Sequence, residues 1–335
     1  MKPCSTAVNP PRRIELYPLH PDRTATTMAE DVVGGLSMTP KQLPCKYFYD
    51  PKGSLLFEQI CQTREYYPWR TENNLLVEAA EVIIDRSAPR TIIELGSGSS
   101  RKTRHLLSAS ESSGLYPQYV PLDVCPQMLI AAAEDLVAEY EWLSIRAVAG
   151  DYTLGFSRLA AHASPALFVF LGGTIGNFTD CEVDRFLSGI YQTMHPGDFL
   201  LLGADLEKEE QVLHAAYNDT AGLTGAFNRN VLDVINRELD GDFQTDEFVH
   251  DAQYNLACSR VEMRLVSRQR QSVTLHRCAA TFSFSAGEPV LTEISRKFTV
   301  SRLRALLSAA GLSVDWVQTA PDPSFALLLA ARRAH

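Results

Sequence analysis

The 335-residue chain has no C-x-x-C pair, no dense block of lysine and arginine, and no apolar run of the roughly 18 residues a membrane helix needs. Each absence removes a class of protein. The seven cysteines, Cys4, Cys45, Cys61, Cys125, Cys181, Cys258 and Cys278, are an odd, scattered set. Such a set makes no disulfide framework and reads as reduced thiols of the cytoplasm. None stands at zinc-ligand spacing from a histidine, so no metal is expected. The first dozen residues hold no apolar core of a signal peptide, and neither a secreted nor a membrane protein is expected. A net charge of −9 without basic clustering gives nucleic acid no electrostatic footprint. The expected partner is a small molecule, and the chain is expected to act as a monomer.

With 45% hydrophobic and 21% charged residues the composition is that of a globular protein, not a disordered one. The length suits one large α/β domain with an insertion, or two modest domains. Residues 1–40 are rich in Pro, Ser, Thr and Gly and are expected to drape over the surface as an extension. A Pro51-Lys52-Gly53 turn is expected ahead of an apolar helix, and Thr71 is expected to cap the helix that follows.

From residue 91 strand and helix alternate. TIIEL, QYVPLD, SIRAVAG, PALFVF and DFLLLGAD read as strands separated by helical patterns, which predicts βαβ units and a doubly wound parallel sheet. The rhythm breaks over 207–290, where one long helical stretch precedes segments such as SRVEMRLVS, whose alternation predicts half-exposed antiparallel strands. The helix–strand–strand tail is expected to complete the first sheet.

The strand Ile92–Leu95 opens into Gly96-Ser97-Gly98, a turn that lets backbone approach a ligand closely ahead of a helix start. The pyrophosphate pattern G-x-G-x-x-G fails, because Arg101 holds the third glycine position. The next strand ends in Asp123, a carboxylate for ribose hydroxyls, and the third in Gly150-Asp151, an acid for an adenine amino group. For either aspartate alone, capping of the following turn is an equal reading. The ordered set describes a pocket for an adenosyl ligand without phosphate.

At these residues the chain resembles the ergothioneine-pathway histidine Nα-methyltransferases, from about Leu43 to Leu329. The resemblance rests on Tyr47-Phe48-Tyr49-Asp50-Pro51, Glu65-Tyr66-Tyr67-Pro68, Glu94-Leu95-Gly96-Ser97-Gly98 with Lys102-Thr103, and Asp123. It continues through Gly150-Asp151, LGGTIGN over 171–177, Ala216-Tyr217-Asn218, Phe227-Asn228 and Thr292-Glu293-Ile294-Ser295. It implies S-adenosylmethionine as methyl donor, three successive methylations and trimethylhistidine (hercynine) as product. It implies a Rossmann-like class I methyltransferase sheet over 72–205 and 298–335, with a second, α+β substrate domain over 41–71 and 206–297. By resemblance, Glu94, Gly96, Ser97, Gly98, Lys102, Asp123, Gly150, Asp151 and Tyr152 belong to the donor site. Gly172, Asn177 and Tyr217 match positions for the amino and carboxylate groups of the substrate. Tyr66, Glu293 and Ser295 match positions for the imidazole, and Tyr49, Phe57 and Met263 line the same pocket. Tyr49, Gly172 and Asn177 are expected as the catalytic residues.

The chemistry suits those assignments. Glu293 and Ser295, two residues apart on a strand, share one face and offer an acceptor and a hydroxyl to the two ring nitrogens. Asn177 and Tyr217 offer donors to a carboxylate, and aromatic rings favour a quaternary ammonium. Taken singly, Glu293 is better read as a solvated strand carboxylate facing Lys297, and Met263 as a core filler. Methylation of another amino acid such as tryptophan, and donor binding without catalysis, are the rival expectations.

Overall fold

The computed structural model describes residues 13–322 and 324–333. Cys4 and the first twelve residues of the expected extension lie outside the described residues, as do Pro323 and the last two positions of the tail.

The first strands in the chain are β1 (Ile14–Pro18), β2 (Lys41–Gln42), β3 (Thr91–Leu95), β4 (Gln118–Asp123), β5 (Ile145–Ala149), β6 (Ala166–Phe170) and β7 (Phe199–Asp205). Next come β8 (Phe248–Asn255), β9 (Arg260–Ser267), β10 (Gln271–Leu275), β11 (Ala280–Phe284) and β12 (Pro289–Arg296), and last β13 (Ser313–Thr319) and β14 (Phe325–Ala331). Eight of them form one sheet in the order β1-β5-β4-β3-β6-β7-β14-β13. The pairings from β1 to β7 are parallel, and β14 and β13 close the edge antiparallel. The tail thus completes the sheet. A second sheet has the order β2-β12-β9-β8, and β10 and β11 form a separate hairpin. Among the described residues no helix is long and apolar enough to cross a membrane.

Both faces of the large sheet are covered. Along β6, Phe168 and Phe170 enter one core while Leu167 and Val169 enter the other. That two-sided burial is why its central strands read as continuous apolar runs. A third core, with Val32, Leu36, Phe48, Phe227, Phe248 and Phe284, lies under the second sheet.

Four local expectations are corrected. The extension does not simply drape: β1 pairs with β5 along its whole length, and Val32 and Leu36 of helix Met28–Leu36 are buried. That helix starts on a capping box of Thr27 and Glu30, a signal present in the sequence. Pro51-Lys52-Gly53 is the first turn of helix Pro51–Ile60, capped by Asp50, whose Oδ1 accepts from Gly53 N at 2.8 Å. Helix Tyr67–Ser87 begins at its Tyr-Pro pair, before Thr71, because proline suits the first turn. The long helical stretch is also divided, into Glu210–Tyr217 and Leu223–Leu239, by a turn ending at Gly222 with φ +72°.

The parallel strands deliver their C-terminal ends to one edge, and the second sheet sits over that edge. Leu206, just past β7, bridges to Phe298, just past β12. Gly176, in the loop after β6, lies so close to the end of β12 that a Cβ there would stand 2.7 Å from the Arg296 carbonyl oxygen.

Candidate active site

A cavity of about 1180 Å³ opens between the strand edge and the second sheet. Its walls hold Tyr49, Phe57, Tyr66, Glu94, Gly96, Ser97, Gly98, Lys102, Asp123, Asp151, Tyr152, Gly172, Asn177, Tyr217, Met263, Glu293 and Ser295. Every residue expected at the site is therefore brought together except Gly150. A Cβ at Gly150 would stand 2.4 Å from Leu19 Cβ, so its glycine accommodates the segment after β1.

At one end β3 runs into the glycine turn, with Gly96 at φ +74° and Gly98 at φ +51°, a left-handed path that disfavours any side chain. The ring of Tyr152 would lie 3.5 Å from a Cβ at Gly96. Asp123 Oδ2 accepts from Gly98 N at 2.8 Å and Oδ1 from Cys125 N at 3.0 Å. Asp123 thus steadies the turns, as the capping reading has it, and it also lines the cavity. Burial raises its pKa against those two amides. Asp151 Oδ1 accepts from Thr153 N at 2.8 Å, while Oδ2 has no hydrogen-bond partner and lies 3.6 Å from Lys46 Nζ. Ser97 Oγ is likewise buried and unpartnered. Beside the glycine turn, the two buried atoms Ser97 Oγ and Asp151 Oδ2 leave a hydroxyl and an acceptor unused by the protein's own hydrogen bonds.

Beneath the turn, Glu94 is buried and accepts from Thr103 Oγ1 at 2.6 Å and from the Tyr119 hydroxyl. Burial pushes its carboxyl to about 7, and those two bonds oppose the rise. Lys102 pairs with Glu72, a fully buried carboxylate that the sequence reading missed. Glu72 also accepts from the Gly172 amide, and so ties the end of the cavity at the glycine turn to the loop after β6.

At the other end aromatic rings interlock. Tyr49 meets Phe57 at 5.8 Å and Phe227 at 5.6 Å between centroids, Phe57 meets Tyr66 at 6.0 Å, and Tyr66 meets Tyr217 at 6.3 Å. Burial, and then Glu293, raise the pKa of Tyr49, which remains a phenol at neutral pH. Met263 is buried and stands opposite Glu293 across the β9–β12 ladder.

Glu293 faces the cavity and forms no ion pair with Lys297; burial pushes its carboxyl to about 7, with Lys297 opposing. The solvated-strand reading of Glu293 is therefore not the one found. Lys297 instead donates to Asp205 Oδ2 at 2.7 Å, Tyr217 Oη at 2.9 Å and Ser295 Oγ at 2.9 Å. Tyr217 donates to Ser295 at 2.7 Å. Asp205 also accepts from Lys208 at 2.5 Å and Tyr67 at 2.7 Å. Of these missed residues Lys297 had a signal, since it lies two past Ser295 where strand alternation returns to the same face.

Among the described residues one group has metal-ligand types close together: His162, His195 and Asp198, with ligand atoms within 4.8 Å. It lies where β6 and β7 begin, at the edge opposite the cavity, and Asp198 Oδ1 accepts from Ala166 N there at 2.8 Å.

Known proteins resemble this chain over most of its length. A family profile described as "Histidine-specific methyltransferase, SAM-dependent" matches residues 28–332. The histidine N-alpha-methyltransferase of Mycolicibacterium smegmatis is 44% identical over 311 residues, covering 93% of this chain and 97% of that protein. That of Mycobacterium tuberculosis is 44% identical over 307 residues, covering 91% and 95%. Ergothioneine biosynthesis protein 1 of Neurospora crassa is 31% identical over 223 residues, covering 63% of this chain and 25% of that protein.

Proposed function

We propose how this chain, which belongs to the histidine-specific, S-adenosylmethionine-dependent methyltransferase family, methylates the α-amino group of L-histidine. The observation that carries the reading is that the glycine turn with Asp123 and Asp151, and the strand bearing Glu293 and Ser295, wall the same cavity. In this reading three transfers give hercynine, the first step of ergothioneine biosynthesis, in the cytoplasm and by a monomer. The likeness to a Neurospora protein named for that pathway supports it.

S-adenosylmethionine supplies a methyl group already activated on a sulfonium, so the chain's task is positioning. Gly96, Ser97 and Gly98 would hold it through backbone and hydroxyl, Asp123 through ribose hydroxyls, Asp151 Oδ2 through an amino N–H, and Tyr152 through its ring. Glu94 and Lys102 complete that wall. The division that serves this reading assigns 72–205 and 298–335 to the donor, and 41–71 and 206–297 to histidine. The extension before residue 41 adds Asp22 and Arg23 at the cavity.

For the substrate, Asn177 and Tyr217 donate to the carboxylate, Gly172 borders the amino group, and Glu293 with Ser295 take the imidazole. Tyr66, Phe57 and Met263 enclose the ring. A benzyl side chain would leave Glu293 and Ser295 unmatched, and sites built on polar pairing reject such analogues by about 10⁴- to 10⁵-fold. The amine reacts as the free base, whose ordinary pKa is about 7.7–8.0. Tyr49, held as a phenol, accepts the proton released from the methylated amine as it gives its own to a water, which carries it to solvent.

Incubation with donor and an equimolar panel of histidine, tryptophan and histamine, followed by mass spectrometry, tests the reading. Histidine carrying one, two and then three added methyl groups is expected. Methylation of tryptophan or histamine in preference to histidine would reject it, as would donor binding with no methylated product.

A further inference from the structure

Lys297 is buried, and its ammonium is fully engaged by Asp205, Tyr217 and Ser295. An ammonium has three protons and no lone pair, so both hydroxyl oxygens accept from it. Tyr217 in turn donates to Ser295. Ser295 Oγ therefore has both lone pairs occupied, and its proton is left for the cavity. Should Tyr217 redirect its proton to a substrate carboxylate, both hydroxyls then donate outward while each still accepts from Lys297. The charges point the same way. Asp205 is shared between two ammonium groups, Lys297 and Lys208, so the cluster carries a net positive charge directly behind the two hydroxyls. Burial lowers the pKa of Lys297, but Asp205 outweighs it and the group is held charged.

We propose that Lys297 is a positioning residue for histidine: it fixes Ser295 and Tyr217 as hydrogen-bond donors, so the imidazole is taken in its neutral form. One ring N–H goes to Glu293 and the bare ring nitrogen faces Ser295. An imidazolium has no bare nitrogen to offer to the Ser295 hydroxyl, and Glu293, the carboxyl on the other side of the ring, needs only the one N–H that a neutral imidazole supplies. This rests on the proposed placement of histidine and adds the ionisation state that the site selects.

Two measurements test it. The first is the ¹⁵N spectrum of ring-labelled histidine in the complex of the wild-type protein with S-adenosylhomocysteine at about pH 6, below the ordinary imidazole pKa of about 6.5. One protonated and one bare ring nitrogen are expected, and two protonated nitrogens would overturn the inference. The second is Lys297→Met, in which Asp205 keeps Lys208 and Tyr67 as partners. The KM for histidine should rise about 10- to 100-fold, the loss expected when a buried hydrogen-bond partner is removed. Affinity for S-adenosylhomocysteine should stay within about twofold, and in the variant's complex both ring nitrogens should become protonated. An unchanged KM, or an equal loss of affinity for both ligands, contradicts the proposal. If the variant does not fold, the wild-type spectrum alone decides. A wild-type protein that leaves histidine unmethylated refutes the functional reading itself, whereas a methylating protein with a doubly protonated bound ring refutes only this inference.

Discussion

Both carboxylate oxygens of Glu72 lie 2.8 Å from the amide nitrogen of Gly172. Through this contact a helix flanking the sheet fixes the loop between the two ends of the cavity. Glu72 fits because Gly203 faces it: a Cβ there would stand 1.9 Å from Glu72 Oε1. The same carboxylate holds Lys102.

Glu72→Gln should therefore damage stability and both binding ends together. Breaking a buried ion pair costs about 3–5 kcal/mol, and Glu72 is fully buried. Urea unfolding should show a loss near the low end of that range, because Lys102 retains partial exposure. The KM values for donor and for histidine should rise in parallel. A change in only one of the two would show that the loop is not shared.

Glu293→Ala should separate the two ligands. With the acceptor for the imidazole N–H removed, kcat/KM for histidine should fall about 100-fold or more, in line with about 1.5–3 kcal/mol for a hydrogen bond to a charged group plus lost selectivity. Calorimetric titration with S-adenosylhomocysteine should give wild-type affinity. A variant that keeps its activity on histidine would remove Glu293 from the ring site.

Tyr49→Phe keeps the aromatic packing against Phe57 and Phe227 and deletes only the hydroxyl. Turnover should slow by about 10- to 100-fold, within or just below the range of general acid–base effects, with donor affinity little changed. Single-turnover mixing reads this directly, and a wild-type rate would exclude the hydroxyl from proton release.

Burial sets Glu94 and Glu293 at about 7, whereas an unfolded glutamate titrates near 4.3. Between those values the folded protein binds protons that the unfolded chain has released. Stability from these groups is thus greatest at the acid end of that window and falls as pH rises towards 7. In Glu293→Gln the fall should be shallower, as read from urea midpoints of ligand-free protein between about pH 5 and 7.5. Parallel slopes for the two proteins would contradict the placement of Glu293 in a desolvated wall.

Much of this was legible in the sequence, for identifiable reasons. The β3 turn was readable because a left-handed path demands glycine, and the covered strands because apolar runs between helical patterns mark a two-sided sheet. Glu293 and Ser295 were legible through the family resemblance, and strand alternation, which puts them on one face, made the pair physically consistent. Other features left weaker traces. Strand β1 carries Leu16 and Tyr17 exposed on a sheet edge, so its composition resembles a loop. Glu72 sits in a helix rich in charged residues, and only its partner Gly203, far along the chain, makes burial possible. Gly150 looked like a ligand glycine because it precedes Asp151, but the approach of Leu19 explains it. The break at Gly222 did leave a signal that the sequence reading passed over, since Asn218-Asp219-Thr220-Ala221-Gly222 is rich in turn formers.

The central claim is that one cavity holds the donor at the β3 turn and the histidine ring at β12. A crystal structure with L-histidine and S-adenosylhomocysteine tests it most directly. The account predicts one imidazole nitrogen within hydrogen-bond distance of Glu293, the other within that distance of Ser295, and the α-amino group beside Gly172 and Asn177. A ring turned towards bulk water, away from both β12 side chains, would contradict it.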